Sequence, residues 1–171
     1  MLKTQRVYII GFMGVGKTTL GKKLARHLGY SYIDTDKLLE HKYKISIDSF
    51  FLKYGEELFR EFEYQCLTET FELKNCVVST GGGLPCYYDA IERINENGTS
   101  VYLQMDAKAI YNRLINSKQK RPLVKNLSSN ELLVYIIKKL DLRKEYYNQA
   151  HITVPGIDVD LGSLVSLLEK F

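Results

Sequence analysis

Apolar residues in this chain fall into short continuous runs separated by longer stretches in which they recur every three or four positions. Val7-Tyr8-Ile9-Ile10 is the first such run, and the pattern predicts strands at 6–10, 31–34, 76–79, 100–104 and 151–154. Short unbroken apolar runs suit strands covered on both faces. The intervening stretches carry helical periodicity. After Ser128, the residues Leu132, Leu133, Ile136, Ile137 and Leu140 predict one apolar stripe. Helix starts are legible as well: Ser128-x-x-Glu131 is a capping box, and Asp106 is an N-cap for a helix over 107–116. Alternating strands and helices predict an α/β fold, a parallel sheet with helices on both faces. The sequence contains no internal repeat, low-complexity segment or linker, which predicts a single domain over 1–171.

The first strand runs directly into Gly11-Phe12-Met13-Gly14-Val15-Gly16-Lys17-Thr18, and Thr19-Leu20-Gly21-Lys22-Lys23-Leu24-Ala25 then reads as a helix. Strand, G-x-x-x-x-G-K-[ST] loop and helix form the context of a phosphate-binding loop. Its glycines let successive N–H groups curl around phosphate oxygens at a helix N-terminus. Gly14, Val15, Gly16, Lys17, Thr18 and Thr19 are the candidate nucleotide contacts, with Lys17 reaching the outer phosphates and the Thr18 hydroxyl available to Mg²⁺. A glycine-rich turn that meets the pattern by accident is the alternative.

Composition narrows the partners. The 171 residues are 45% hydrophobic and 26% charged, enough for a sizeable core in one domain. A net charge of +4 suits an anion pocket and falls short of a nucleic-acid footprint. Cys66, Cys76 and Cys86 are odd in number and ten apart, which fits reduced thiols rather than disulfides or zinc. No apolar run approaches a membrane span, and a cytoplasmic protein is expected. The scattered His27, His41 and His151 point to neither metal ligation nor catalysis, and the tyrosines read as core packing.

Three further clusters carry candidate chemistry. Asp34-Thr35-Asp36 ends the second strand, where ligands sit in open parallel sheets. Asp34 is the candidate for ordering metal-bound water, and Asp36 for accepting the proton of an attacking hydroxyl, unless Asp36 merely caps the next helix. Val77-Val78-Ser79-Thr80 runs into Gly81-Gly82-Gly83, a loop that permits close backbone approach to a ligand. Among the arginines, Arg143 shares a helix face with Ile136, Leu140 and Tyr147 and has no carboxylate three or four residues away, so its anionic partner comes from elsewhere. Arg60 follows Glu56 by four residues and could form a surface pair worth little. Arg121 lies in a polar, basic stretch that reads as a lid, approximately 116–127, where it either neutralises transferring phosphoryl charge or is simply solvated.

In order, these motifs resemble the shikimate kinase family over nearly the whole chain: the phosphate loop, Asp34-x-Asp36, Gly55-Glu56-Glu57-Leu58-Phe59-Arg60, Gly81-Gly82-Gly83, Arg121-Pro122-Leu123, and Arg143 shortly before a tyrosine. The resemblance implies a three-layer P-loop fold of the nucleoside-monophosphate-kinase type, a five-stranded parallel sheet of order 2-3-1-4-5 with helices on both faces and a closing lid. It implies ATP-dependent phosphorylation of the 3-hydroxyl of shikimate, a step toward chorismate and the aromatic amino acids, by an enzyme that binds no nucleic acid or membrane and acts as a monomer. Asp36 would then bind and deprotonate the acceptor, and Arg60 and Arg143 would grip its carboxylate. The Gly82 backbone would add a donor, Lys17 and Arg121 would stabilise phosphoryl charge, and Thr18 and Asp34 would serve Mg²⁺.

The family's usual adenine-loop pattern is not clear in Thr153-Val154-Pro155-Gly156-Ile157-Asp158, and Arg113 is a candidate for approaching the base. The rival readings are a P-loop kinase for gluconate or a nucleoside monophosphate, and a GTPase switch. The chain has no N-K-x-D segment and no D-x-x-G after the third strand, which argues against the switch.

Overall fold

A computed structural model describes residues 5–117, 124 and 127–171. Five strands form one sheet: β1 (Arg6–Ile10), β2 (Ser31–Asp34), β3 (Cys76–Ser79), β4 (Thr99–Gln104) and β5 (Ile152–Pro155). Every pairing is parallel and the order is β2-β3-β1-β4-β5. Three strands match their sequence-predicted bounds, while β4 begins one residue earlier and β5 sits one residue later.

The central position of β1 follows from its unbroken apolar run. Side chains alternate across a strand, so Val7 and Ile9 enter one core layer and Tyr8 and Ile10 the other, all four fully buried. The first layer is closed by α1 (Lys17–Leu28), α5 (Ala107–Ile115) and α7 (Leu161–Leu168) through Leu20, Leu24, Ile110, Leu164 and Leu168. The second is closed by α3 (Ile47–Glu69), α4 (Ala90–Asn97) and the end of α6 (Ser129–Tyr147) through Leu67, Ile91, Ile94 and Tyr147.

Two predicted caps are present: Asp106 accepts from Ala109 N at 2.8 Å, and Ser128 and Glu131 close a reciprocal box at the start of α6. The predicted stripe on α6 needs correction. Leu132 and Ile136 are buried, but Ile137 is 52% exposed, and the buried line continues instead through Arg143 and Tyr147. At about 100° per residue, Leu132, Ile136, Arg143 and Tyr147 fall within about 60° of one another, and Ile137 stands roughly 100° away from the middle of that line.

A third, smaller apolar cluster of Leu39, Phe50, Phe59 and Cys66 joins α2 (Thr35–Tyr43) to α3. It depends on a break in α3. Gly55 has φ 81° and ψ 176°, which splits the helix into residues 47–54 and 56–69. In an unbroken helix Phe50 and Phe59 would be separated by about 13.5 Å of rise; here their ring centroids are 6.0 Å apart. The kink folds the first half of α3 back against its second half and α2, and Ile47, Asp48 and Phe51 then line a cavity. Among the described residues, no helix is long and apolar enough to cross a membrane.

Candidate active site

A cavity of about 940 Å³ opens at the carboxyl ends of β1, β2 and β3. On one side lies the loop after β1. Gly16 adopts φ 101° as the N-cap of α1, and no side chain caps that helix, so its first N–H groups face the cavity. No acidic residue occupies the first turn, which leaves the positive end of the helix dipole uncompensated. Lys17 Nζ donates to Gly11 O and Phe12 O, both at 2.8 Å, and holds its ammonium across the mouth of the loop. Ser79 Oγ donates to Lys17 O at 3.0 Å and ties β3 to the same turn.

Asp34 and Asp36 have distinct environments. The capping role that sequence left open for Asp36 belongs to Asp34, whose Oδ1 accepts from Asp36 N at 3.2 Å and Lys37 N at 3.3 Å. Its other oxygen accepts from Thr18 Oγ1 at 3.1 Å and from the Tyr32 hydroxyl at 3.4 Å. Burial pushes the Tyr32 phenol up, so this hydroxyl remains a donor. Tyr32 is legible in the sequence only as a strand residue. Asp36, released from capping, lies half-buried in the first turn of α2 and lines the cavity.

Thr18 and Asp34 therefore stand together as a hydroxyl and a carboxylate at the phosphate loop. Among the described residues no cluster of three or more His, Cys, Asp and Glu side chains forms a metal cage. One hydroxyl and one carboxylate, completed by phosphate oxygens and water, is the donor set Mg²⁺ takes. The residues fit that ion.

Two arginines line the same cavity. Arg60 is only 5% exposed, so the pair with Glu56 that its spacing allows is buried at the arginine end, while Glu56 itself is 49% exposed. Glu56 Oε1 does accept from Arg60 Nη2 at 2.9 Å and Nε at 3.3 Å. Glu63 adds a second carboxylate, accepting from Nη1 at 2.7 Å while itself 2% exposed. Burial raises the Glu63 carboxyl above its ordinary range; Arg60 opposes that push, and the Asp36 charge adds to it.

Arg143 is 6% exposed and differently held. Its Nη1 donates to Gly82 O at 3.3 Å and its guanidinium lies 5.3 Å from the Phe12 ring centroid. No carboxylate among the described residues pairs with it, in keeping with the missing partner inferred from its helix.

The triple glycine is explained by what presses on it. A Cβ on Gly81 would overlap the Glu63 carboxylate and lie 2.8 Å from Asp36 Oδ1, and one on Gly83 would lie 2.8 Å from Arg60 Nη1. The loop thus makes room for protein charges as well as for a ligand. Gly82 O accepts from Tyr147 OH at 2.5 Å as well as from Arg143, while its N–H bonds to no described residue. Glu63 and Thr35, which is fully buried and accepts from Gly81 N at 3.0 Å, are further site residues. Sequence gave no signal for either beyond proximity to a motif.

At the far end of the cavity, Arg113 donates to Val15 O at 2.9 Å and Gly156 O at 3.2 Å, linking the phosphate loop to the end of β5. Arg121 and most of the predicted lid lie outside the described residues.

A parallel sheet in this order, a phosphate loop, and a cavity lined by aspartates and two buried arginines define a P-loop phosphotransferase. A family model described as Shikimate kinase matches residues 13–159, and the chain belongs to that family. A shikimate kinase of Parabacteroides distasonis is 42% identical over 149 residues, which cover 87% of this chain and 86% of that one. The 1.7 Å crystal structure of shikimate kinase from Bacteroides thetaiotaomicron superposes with a TM-score of 0.87 at 36% identity, covering 98% of this chain and 96% of that one. Shikimate kinase from Acinetobacter baumannii in complex with shikimate gives 0.80 at 31% identity, covering 98% and 90%.

Proposed function

We propose that this protein transfers the γ-phosphoryl group of ATP to the 3-hydroxyl of shikimate, giving shikimate 3-phosphate and ADP. The observation that carries the reading is the place of Asp36: it lines one cavity together with Lys17 and Thr18 of the phosphate loop and the two arginines Arg60 and Arg143. ATP phosphates lie in the loop of residues 11–18, against the N–H groups of Gly14, Val15, Gly16, Lys17, Thr18 and Thr19. The base lies toward Arg113, at the end of the cavity beyond Val15.

Shikimate enters with its carboxylate on Arg143 and Arg60, because the guanidinium fork matches a planar anion. Ile47, Phe51 and Phe59 line the same end and meet the carbon ring. Gly82 N–H, with no described partner, is the added donor. The substrate hydroxyl loses its proton to the Asp36 carboxylate as its oxygen bonds to the γ-phosphorus, and the bond from that phosphorus to the β,γ-bridging oxygen breaks to release ADP. Lys17 holds the charge that moves onto the phosphate oxygens, and Arg121 shares that work. When bound by Thr18 and Asp34, Mg²⁺ supplies neutralisation of phosphate charge and alignment of the triphosphate. Residues 1–171 act as one domain, with residues 116–127 as its lid, in a monomeric cytoplasmic enzyme.

A coupled assay of ADP release tests the reading across shikimate, gluconate and nucleoside monophosphates. Turnover with shikimate is expected; turnover with gluconate or a monophosphate and none with shikimate would replace the acceptor.

A further inference from the structure

Arg60 is held on three sides. Glu63 takes one N–H of Nη1, and Glu56 Oε1 takes Nε–H and one N–H of Nη2. Of the five N–H groups of a guanidinium, one remains on each terminal nitrogen. The same Glu56 oxygen accepts from the Tyr87 hydroxyl at 3.0 Å, and the Tyr87 ring lies under the guanidinium, with Arg60 Cζ 4.4 Å from its centroid. Phe59 lies farther off at 5.2 Å. Glu63 and Arg60 line the cavity, whereas Glu56 and Tyr87 do not. Tyr87 and Glu56 thus hold the guanidinium from behind, away from the acceptor.

We propose that Tyr87 is a positioning residue for the acceptor carboxylate, acting through Arg60: its ring is the shelf that sets the guanidinium plane, and its hydroxyl fixes Glu56, which stops the plane from turning. The inference rests on the proposed function, since it needs a carboxylate acceptor. Planar two-point recognition is sensitive to rotation, because turning one plane breaks one of the two bonds. An arginine stacked on an aromatic face and pinned at one edge loses less freedom on binding than a free one. Tyr87 comes directly after the short 3₁₀ turn Leu84–Cys86 that follows the glycines. One loop therefore carries both the backbone against which Arg60 lies, at Gly83, and the ring that stacks on it.

The test compares wild type with Tyr87→Phe, which keeps the shelf and removes the hydroxyl, and Tyr87→Leu, which removes both. Each is assayed with shikimate and with methyl shikimate, whose ester carries no charge, and each is melted to compare folding. Wild type must first turn over shikimate; failure there overturns the functional reading itself. Because the lost hydrogen bond acts on shikimate only through Arg60, its effect should be that of an ordinary net hydrogen bond, raising the KM for shikimate about three- to tenfold in Tyr87→Phe, with the loss falling on KM more than on kcat. Tyr87→Leu should raise it further, and the KM for methyl shikimate should move by less than about twofold in both, because a neutral ester does not depend on a charge-assisted fork. The proposal fails if shikimate and its ester lose equally, or if both variants keep the wild-type KM for shikimate.

Discussion

Glu63 and Gly81 meet with no room for a carbon atom between them: a Cβ on Gly81 would overlap Glu63 Oε1 and lie 2.8 Å from Asp36 Oδ1. The glycine is therefore the point at which the buried partner of Arg60 and the candidate base share one surface. Gly81→Ala must move one of them. Displacing a reacting group by about 1 Å can lower the rate a hundredfold, and overpacking a dense site destabilises by about 1–3 kcal/mol. Both losses are expected for Gly81→Ala by steady-state kinetics and denaturant unfolding. Gly82→Ala should be milder, since its Cβ would meet Met13 N at 3.1 Å and no charged group. Equal losses in the two variants would contradict this account.

Asp36→Asn tests the base. The amide keeps the shape that fits against Gly81 but cannot take a proton. Turnover should fall by about 10²–10⁴-fold, while ADP affinity measured by calorimetry stays close to wild type because the phosphate loop is untouched. Turnover within a few-fold of wild type would remove Asp36 from proton transfer.

Arg60→Ala and Arg143→Ala should separate folding from binding. Removing Arg60 leaves Glu63 buried without its partner, and uncompensated buried charge destabilises by about 3–5 kcal/mol. Removing Arg143 strands no carboxylate, and Gly82 O keeps its bond from Tyr147. Arg143→Ala should therefore lose no more than about 1.5 kcal/mol of stability while shikimate binding loses a charge-assisted contact of about 1.5–3 kcal/mol. Unfolding curves and the KM for shikimate decide it; an Arg143→Ala protein as unstable as Arg60→Ala would refute the contrast.

These variants also mark how far the sequence could be read. The sheet was legible because Val7–Ile10, Val77-Val78 and Val101–Leu103 are short unbroken apolar runs buried on both faces, whereas the outer strands β2 and β5 are apolar only in part. Asp34-x-Asp36 was legible as a pair, but which aspartate caps α2 depended on backbone geometry, and the cap is Asp34. Glu63 was hidden, because a glutamate three residues after an arginine reads as a solvated helical pair. Its burial comes from the close approach of α3 to the glycine loop, a tertiary contact. Glu56 illustrates the converse: spacing exposed the pair with Arg60 correctly, and the Tyr87 ring and the 5% exposure of Arg60 show that its arginine end is buried while its carboxylate end stays half-exposed. Ile137 failed because a stripe drawn from three- and four-residue spacing does not say which edge of it meets the core.

Glu56 gives a pH signature. Burial pushes its carboxyl up, but the hydrogen bonds and charge of Arg60, with the Tyr87 hydroxyl, outweigh burial and hold it below its ordinary 4.5. A depressed carboxyl adds stability that is complete above the unfolded-state value and is lost as pH falls through the folded-state value. Glu56→Gln cannot ionise, so the gap in melting temperature between wild type and variant should be widest near neutral pH and should narrow below about pH 4.5. Because the Glu56 side chain is 49% exposed, solvent and salt screen the pair, and the gap should correspond to no more than about 1 kcal/mol and shrink in high salt. A gap that stays constant from pH 7 to pH 3, or widens with acid, would mean that the Glu56 charge does not hold Arg60.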